Sequence, residues 1–378
     1  MSHDLVLAGG RLLDPATGLD RVADLGVTGG RIAEIGLELA GAQRLDVRGL
    51  LVVPGLVDLH VHVYEGVSHY GIDADEFLLR RGTTTGLDVG SAGAATFDGL
   101  RRYVIEPART RIVALLHIAV EGMISVRVGE LEDIRWASVE DCVRVAEANR
   151  DVIAGVKLRA GYQMVGPDPR PAVRLARQAA DELGLPLMVH VIDMLMPLPE
   201  LLADLRAGDL VTHCFHGTEG GVLDPSGNVW PEVFEAVERG VVFDIGHGIG
   251  SFTFRVARAA LAQGLAPTTI SSDIHKHNHA GPVFDLPRTM SKLLHLGVPL
   301  DQVVAASTSR AAAQLAHVAP GLGTLAIGGG ADVSVLELQH GGFPLEDGEH
   351  VVEPAESRLV ARHVLRDGVH VRCDEPLG

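Results

Sequence analysis

Between residues 56 and 275 the chain repeats one pattern: a short apolar run, a polar or glycine-rich turn, and then, after several runs, a stretch with helical periodicity. The eight apolar runs cover residues 56–63, 83–90, 112–120, 152–159, 186–192, 210–215, 241–246 and 268–275. Eight strand-then-helix units in one domain predict a (β/α)8 barrel. A doubly wound open sheet is the structural alternative. It is less favoured because no glycine-rich phosphate loop follows the first run.

The two ends of the chain have a different pattern, in which short strand-like segments alternate with glycine and aspartate turns. Two β-rich ends that flank a barrel most simply pair with each other. We therefore predict an α/β protein in which residues 55–322 form the (β/α)8 TIM barrel and catalytic domain. Residues 1–54 and 323–378 are expected to form a small β-sandwich built from both termini.

Composition excludes several classes of function. A length of 378 residues with 47 % hydrophobic content supplies a large core, and the net charge of -17 argues against a nucleic acid or an anionic membrane as the main partner. The uncharged stretch 311–331 is interrupted by a proline and five glycines, so we expect no membrane span. The N-terminus lacks a basic region before an apolar core, which favours the cytoplasm over secretion. The three cysteines, at irregular spacing, are expected to be reduced thiols.

Residues that could carry chemistry occur at the carboxyl ends of the predicted strands, where barrel enzymes place their active sites. They are His60, His62, Lys157, His190, His213 and Asp273. Side chains two apart on a strand share a face, so His60 and His62 can both point into the barrel. A single histidine of this kind is more often a core residue than a ligand, but four of them with an aspartate favour a metal site. These donors suit Zn2+, with Mn2+, Fe2+ and Co2+ as alternatives.

Lys157 is unusual because the chain has only three lysines, and this one lies in the apolar run IAGVKLR. Burial disfavours the charged ammonium and lowers its pKa, which leaves a neutral amine able to react with CO2. The resulting carbamate has two oxygens and could bridge two metal ions. A structural alternative is an ion pair between Lys157 and a barrel carboxylate such as Asp273.

Several motifs taken together resemble the amidohydrolase superfamily, in its binuclear branch. These are PGLVDLHVHV, the lysine of the fourth run, the histidines of the fifth and sixth runs, the aspartate of the eighth and GTLAIGGGADVSVL. The stretches GLDVGSAGAATFDGL and SSDIHKHNHAGPVFDLPRTMSKLLHLG are most similar to dihydroorotase-like proteins, a branch that includes deacetylases and esterases.

The resemblance implies a ligand arrangement for two divalent metal ions. It assigns His60, His62 and Asp273 to the more buried ion, His190 and His213 to the more exposed ion, and carboxylated Lys157 to both. A bridging hydroxide would attack the substrate carbonyl, and Asp273 would move its proton to the leaving group. We therefore expect a metal-dependent hydrolase that cleaves an amide or ester bond of a small acylated substrate. An N-acyl amino acid or an O-acyl hydroxy acid fits this chemistry best.

Substrate contacts are predicted from position alone. Arg159 lies two residues beyond Lys157 and could bind a carboxylate, although a structural salt bridge is an equal alternative. His275 and Asn278 lie in the loop after the eighth run, and Ser91 follows the second. His216 and His247, just past the sixth and seventh runs, are comparable candidates, and Cys214 should face the core.

Two alternatives to acyl hydrolysis stay open. The first is opening of a cyclic amide, as in dihydroorotase or hydantoinase. Dihydroorotate itself is disfavoured because HVHVYEGVSHYG lacks the expected arginine and asparagine pair, and deamination is disfavoured because the chain lacks a His-Ala-Gly-Glu motif. The second is a non-catalytic assembly protein on the same fold, which should have lost the ligands that this chain retains. The expected partner is a small molecule, and the oligomeric state is open, with a homo-oligomer as one option.

Overall fold

The computed structural model describes residues 2–125 and 127–375. In these ranges, strands from both ends of the chain pair in one eight-stranded sheet, in the order β15-β14-β13-β5-β1-β2-β3 with β4 on β1. Its strands are β1 (His3–Asp14), β2 (Leu19–Thr28), β3 (Arg31–Gly36), β4 (Gly41–Asp46), β5 (Leu51–Pro54), β13 (Val333–Glu346), β14 (Val352–Arg366) and β15 (Val369–Arg372). Pairing of the two ends is as predicted. The sandwich of two facing sheets stays a prediction.

The central part of the chain forms a seven-stranded parallel sheet in sequential order, from β6 to β12. Its strands are β6 (Leu56–Val61), β7 (Thr83–Gly93), β8 (Arg111–His117), β9 (Ile153–Arg159), β10 (Leu187–His190), β11 (Leu210–Thr212) and β12 (Val242–Asp244). Each corresponds to one of the first seven apolar runs. The mixed α/β architecture with a curled parallel sheet is therefore as the sequence predicts.

The eighth apolar run does not form a regular strand. Thr269 makes a parallel bridge to Asp244 on β12, and Ile274 makes one to Val61 on β6, so this segment touches both edges of the sheet. Between them, Ser272 gives its backbone N–H to the Asp58 carboxylate. Side chains thus replace part of the strand ladder, which explains why a run with strand composition is irregular here.

Helices connect the parallel strands and cover the outside of the sheet. In the described residues they are α1 (Ala74–Phe77), α2 (Phe97–Leu100), α3 (Val139–Ala148), α4 (Tyr162–Val165), α5 (Arg170–Leu183), α6 (Leu198–Asp204), α7 (Pro231–Arg239), α8 (Phe254–Ala262), α9 (Leu286–His295), α10 (Leu300–Ser307) and α11 (Ser309–Gln314). The helices α5 and α7 follow the fourth and sixth apolar runs. Both have proline in the first turn and end at a left-handed glycine, Gly184 and Gly240.

Two of the apolar clusters in the described residues show how the two sheets are held together. One contains buried side chains from the parallel strands and their helices, such as Leu116, Val156 and Val189. The other combines both ends of the chain, for example Leu12 and Val52 with Val333. No helix in the described part of the chain has both the length and the apolar composition to cross a bilayer.

Candidate active site

Three predicted ligands meet at the carboxyl end of the parallel sheet. The Nε2 atoms of His60 and His62 lie 3.4 Å and 3.3 Å from Asp273 Oδ1. One donor atom from each of the three side chains falls within a group in which all atoms lie within 4.8 Å of one another. Both imidazoles project from the end of β6 to the same side, as their spacing of two residues predicts.

The other three predicted ligands line the same cavity, which has a volume of about 170 Å3. The ring centroid of His213 lies 4.8 Å from that of His60 and 4.4 Å from that of His190. Lys157, near the end of β9, also lines this cavity and is 1 % exposed. The structure therefore brings together all six residues that the sequence singled out as metal ligands.

Hydrogen bonds to the far side of two imidazoles fix which ring nitrogen faces the cavity. His213 Nδ1 lies 2.7 Å from the Gly246 carbonyl oxygen, which can only accept, so Nδ1 carries the hydrogen. His60 Nδ1 lies 2.8 Å from Thr212 Oγ1, whose hydroxyl donates to Asp244 Oδ2 at 2.9 Å. Thr212 therefore accepts from His60 Nδ1–H. In both rings Nε2 keeps its lone pair, the form that binds a metal ion.

Asp244 supports the position of His60 through Thr212. Its carboxylate is fully buried and accepts hydrogen bonds from three hydroxyls, those of Thr212, Thr269 and Ser271. Burial raises the pKa of Asp244, and these hydrogen bonds oppose the shift. Hydrogen bonds thus connect His60 through Thr212 to the Asp244 carboxylate. Such a carboxylate behind a histidine commonly orients metal-binding imidazoles.

Burial controls the charge of the site. It lowers the pKa of His60, His62, His190 and His213 well below the usual range, with nearby cationic groups adding to the effect, so the imidazoles are neutral donors. Burial likewise raises the pKa of Asp273 to about 6 and lowers that of Lys157 to about 7.

Lys157 does not form the ion pair with a carboxylate that was the structural alternative to a carbamate. Its Nζ lies 3.5 Å from Met188 Sδ, a weak partner, and no carboxylate of the described residues lies within ion-pairing distance. Asp273 is close enough to favour the charged amine, but burial outweighs this attraction. The amine is thus held in an apolar setting at the edge of the cavity.

Two of the candidate ligands have strained backbones. Asp273 and His213 adopt left-handed conformations, with φ of 50° and 68°. Gly248 has φ of 48°, and a Cβ there would lie 2.3 Å from Asp273 Oδ2. Only glycine allows this close approach, so the loop after β12 contacts the carboxylate directly. Left-handed backbone conformations of residues other than glycine, such as those of Asp273 and His213, are concentrated at functional sites.

Arg159, predicted as a substrate contact, lines the cavity and is also ion-paired. Its Nη1 lies 2.8 Å from Glu130 Oε1, and both side chains are buried. Its guanidinium carbon lies 5.6 Å from the centre of the Tyr70 ring, which stacks on His62 with centroids 5.2 Å apart. His275 also lines the cavity, and its ring centroid lies 4.6 Å from that of Tyr70.

The remaining predicted contacts lie behind the cavity wall. Asn278 accepts from the His275 N–H at 2.8 Å and donates to the Asp273 carbonyl at 2.7 Å, so its amide shapes this loop. Ser91 Oγ lies 3.0 Å from His62 Nδ1. His216 and His247 are buried outside the cavity lining, and Cys214 lies in the apolar core.

Sequence reasoning missed several residues of the site. Asp58, Asp88 and Asp244 are fully buried carboxylates, and each is the single acidic residue of an apolar run, a signal that could have identified them. His117 ends β8 and was overlooked, although it too is a histidine at a strand end. Tyr70 lies in a loop of ordinary polarity, and nothing in the sequence distinguishes it.

The donors fit divalent metal ions. Four neutral imidazoles and a carboxylate converge, and the tautomers fixed for His60 and His213 direct Nε2 to the cavity. Neutral imidazole nitrogens and a carboxylate are the donors that bind Zn2+ and similar divalent ions in proteins. Fold and site together define a metal-dependent hydrolase built on a parallel α/β barrel sheet.

Comparison with known proteins agrees with this class. The model of the amidohydrolase family matches residues 51–369. A deacetylase from Agrobacterium fabrum is 41 % identical over 283 residues, which cover 74 % of this chain and 70 % of that protein. Among solved structures, a dihydroorotase has a TM-score of 0.89 at 33 % identity, covering 99 % of this chain and 98 % of that one. An adenine deaminase has the same TM-score at 29 % identity, covering 98 % and 100 %.

The chain belongs to the amidohydrolase family. It is an enzyme that hydrolyses amide bonds and acts on a small molecule, as the sequence predicted. Divalent metal binding is part of this assignment, through the group that contains His60, His62 and Asp273.

Proposed function

We propose that this protein is a binuclear metallohydrolase that deacylates a small N-acyl amino acid or O-acyl hydroxy acid. The observation that carries the proposal is the single cavity in which six metal-ligand candidates adjoin a buried guanidinium. The deacetylase named above, 41 % identical to this chain, supports the reaction type. Within the cavity, the metal ligands account for bond cleavage and Arg159 for recognition of an acid.

The ligand assignment follows the grouping of the donors. His60, His62 and Asp273 would hold the more buried ion, and His190 with His213 would hold a second, more exposed one. His190 is partly exposed whereas the other three histidines are buried, so His190 supports a position nearer to solvent for the second ion. Zn2+ suits the donor set best, with Mn2+, Fe2+ and Co2+ as alternatives.

Lys157 would bridge the two ions as a carbamate. Its neutral amine attacks the carbon of CO2, a nitrogen–carbon bond forms, and one amine proton is released to water as the carboxylate is produced. The lowered pKa of about 7 makes the neutral amine available near physiological pH. The carbamate would be a buried anion, and Arg159 in the same cavity, together with the two metal ions when bound, would compensate its charge.

Asp273 is placed to move the proton during hydrolysis. When bound, the two metal ions would lower the pKa of a water molecule and polarise the scissile carbonyl. Asp273 Oδ1 lies near His60 and His62, while Oδ2 lies next to Gly248. One oxygen can therefore serve as ligand while the other takes a proton from the attacking water and passes it to the leaving group.

Arg159 would recognise the carboxylate of the acid portion of the substrate. Glu130 holds Nη1, so the remaining donors of the planar guanidinium are available to a second carboxylate. Tyr70 and His275 would enclose the same portion, because both line the cavity next to Arg159. The ion pair and substrate binding, which the sequence left as alternatives, are thus compatible.

The side group of the substrate would extend into a neighbouring groove of about 1380 Å3. Gln163 and Asp193 line both the groove and the active-site cavity, so the two are continuous. The groove wall includes the apolar segment 194–198, where Leu195 is 58 % exposed. An apolar amino-acid side chain would bury this surface, so we expect faster hydrolysis of N-acyl leucine than of N-acyl aspartate.

Opening of a cyclic amide is the second candidate, supported by the structural likeness to a dihydroorotase. The same metal ligands would serve that reaction. The loop after β6, however, lacks the arginine and asparagine pair expected of a dihydroorotase. It places the Tyr70 ring against His62 instead. A non-catalytic assembly role is less favoured, because all six ligand candidates are present and converge.

The terminal strands would form a small β-sandwich domain from residues 1–54 and 323–378, beside a barrel of residues 55–322. The joint sheet and the shared apolar core of both ends support this division.

A substrate screen tests the proposed reaction. Protein loaded with Zn2+ or Mn2+ is incubated with N-acetyl amino acids, O-acetyl hydroxy acids, dihydroorotate and hydantoins, and product formation is followed by chromatography. Hydrolysis of one of the two acyl classes is the expected result. Ring opening alone would favour the second candidate, and inactivity towards every compound would contradict both.

The role of Arg159 is tested with a charge-balanced double variant and a single-variant control. The double variant Glu130→Gln with Arg159→Met removes both members of the ion pair, and Glu130→Gln alone is the control. The double variant should lose the preference for an N-acyl amino acid over its C-terminal amide, while the control keeps it. An unchanged preference in the double variant would remove Arg159 from substrate recognition.

A further inference from the structure

His117 is a buried histidine at the site that the mechanism so far leaves unused. It ends β8, is 1 % exposed, and pairs in register with Lys157 on β9. A methyl group built on Gly90 would lie 2.9 Å from Lys157 Cβ and 3.1 Å from His117 Cδ2. The two side chains therefore meet beside this glycine, and the imidazole atom nearest to it is Cδ2, which is bonded to Nε2.

The tautomer of His117 follows from its hydrogen bond to the backbone. The Ala119 N–H donates to His117 Nδ1 at 3.0 Å, so Nδ1 must carry a lone pair. The single ring hydrogen is consequently on Nε2.

That Nε2–H group has no acceptor among the described residues, although it is buried. Leaving a buried donor unpaired is costly, and native structures rarely do so without a reason. The unmodified amine of Lys157 does not accept from it, because no acceptor of the described residues lies within hydrogen-bonding distance of His117 Nε2. A carbamate on the same side chain would instead bring two acceptor oxygens into this region.

We propose that His117 is a positioning residue for carboxylated Lys157, and that its Nε2–H donates a hydrogen bond to a carbamate oxygen. The inference rests on the carbamate of the proposed function. It adds a specific reason for the carbamate to persist, because a hydrogen bond to the charged form stabilises that form against loss of CO2. It also limits rotation of the carbamate, which keeps both oxygens directed to the metal ions.

Two amide variants separate this role from a merely structural one. In His117→Asn, the side-chain oxygen can still accept from Ala119 N–H, but no donor reaches the position of Nε2. In His117→Gln, the longer side chain can place an amide N–H near that position, but the contact with Ala119 is lost. A structural role predicts that Asn is the better substitute, whereas the proposed role predicts that Gln is.

The experiment measures the carbamate directly. Apo protein is titrated with 13C-bicarbonate at fixed Zn2+, and the carbamate signal is quantified by 13C NMR, with thermal unfolding of the same samples as the folding control. We expect His117→Asn to need about 10-fold to 100-fold more bicarbonate for half-carboxylation, and His117→Gln to stay much closer to the parent. His317→Asn is the matched control: His317 makes one backbone contact, to Ala154 O, and should leave the titration unchanged.

The outcomes distinguish failure of this inference from failure of the proposed function. If His117→Asn is carboxylated like the parent, His117 has no such role and the carbamate proposal stands. If the parent shows no carbamate signal with two metal ions bound, the carbamate proposal fails and this inference falls with it. Should the variants not fold, a crystal structure of the carboxylated parent decides. His117 Nε2 should lie about 2.7–3.2 Å from a carbamate oxygen, and a distance beyond hydrogen bonding would overturn the inference.

Discussion

Thr212→Val tests how the buried hydroxyl next to His60 supports metal binding. Valine has nearly the same shape as threonine, so the substitution removes two hydrogen bonds without creating a cavity. Asp244 keeps its hydrogen bonds from Thr269 and Ser271, but His60 Nδ1–H loses the one acceptor that the described residues offer it. A buried donor left unpaired in this way costs about 1–3 kcal/mol.

The effect should appear mainly in metal affinity. Without its acceptor, the imidazole of His60 is free to rotate or to change tautomer, and loss of such support typically reduces metal affinity about 10-fold to 100-fold. Competition between apo protein and a fluorescent chelator for Zn2+ measures this affinity. Urea unfolding of the apo protein measures the stability loss separately.

Two further variants serve as controls. Thr212→Ser keeps the hydroxyl and should retain the affinity of the parent within a few-fold. Thr84 is a buried threonine on β7 that donates to the Leu56 carbonyl at 3.1 Å, so Thr84→Val should lose about 1 kcal/mol of stability without changing metal affinity. A Thr212→Val protein that binds Zn2+ as tightly as the parent would refute the proposed support of His60.

Three other perturbations have defined outcomes. Asp273→Asn should stay folded and bind metal but lose about 100-fold to 10,000-fold in hydrolysis rate, because an amide cannot carry the proton; near-parental activity would remove Asp273 from that role. Lys157→Ala should be nearly inactive and partly rescued by added acetate or propionate, whose carboxylate can bridge the metal ions; rescue by amines instead would contradict the carbamate. Lys292 is fully buried with its pKa lowered well below the usual range by burial, so the unfolded chain binds the extra proton. The free energy of unfolding should therefore rise with pH by at most about 1.4 kcal/mol per pH unit between pH 7 and 9 because of this group. Urea unfolding of Lys292→Met should lack this increment. Equal pH slopes of the free energy of unfolding in parent and variant would contradict the neutral amine.

Much of the fold could be predicted because its periodicity is visible in single runs. Seven apolar runs became parallel strands, and the helices α5 and α7 carry their own start and stop signals in proline and glycine. The irregular backbone of the eighth run could not be predicted in this way. Its polar atoms bond to side chains such as Asp58, and such tertiary contacts leave no mark on local composition.

The ligand candidates could be predicted for a similar reason, since polar residues within apolar runs are conspicuous. His60, Lys157 and Asp273 stand out in this way. The support of the site was not found, because Thr212 is an ordinary strand residue until its position between His60 and Asp244 is known. The same holds for the commitment of Asn278 to backbone groups, which depends on the folded path of its loop.

A metal titration tests the central claim most directly. Apo protein in bicarbonate buffer receives increasing Zn2+ or Mn2+, and bound metal and hydrolysis of the best acyl substrate are measured in the same samples. Activity should rise with bound metal and level off at two ions per chain. Full activity at one ion per chain, or hydrolysis that does not depend on bound metal, would contradict a binuclear site built from these six residues.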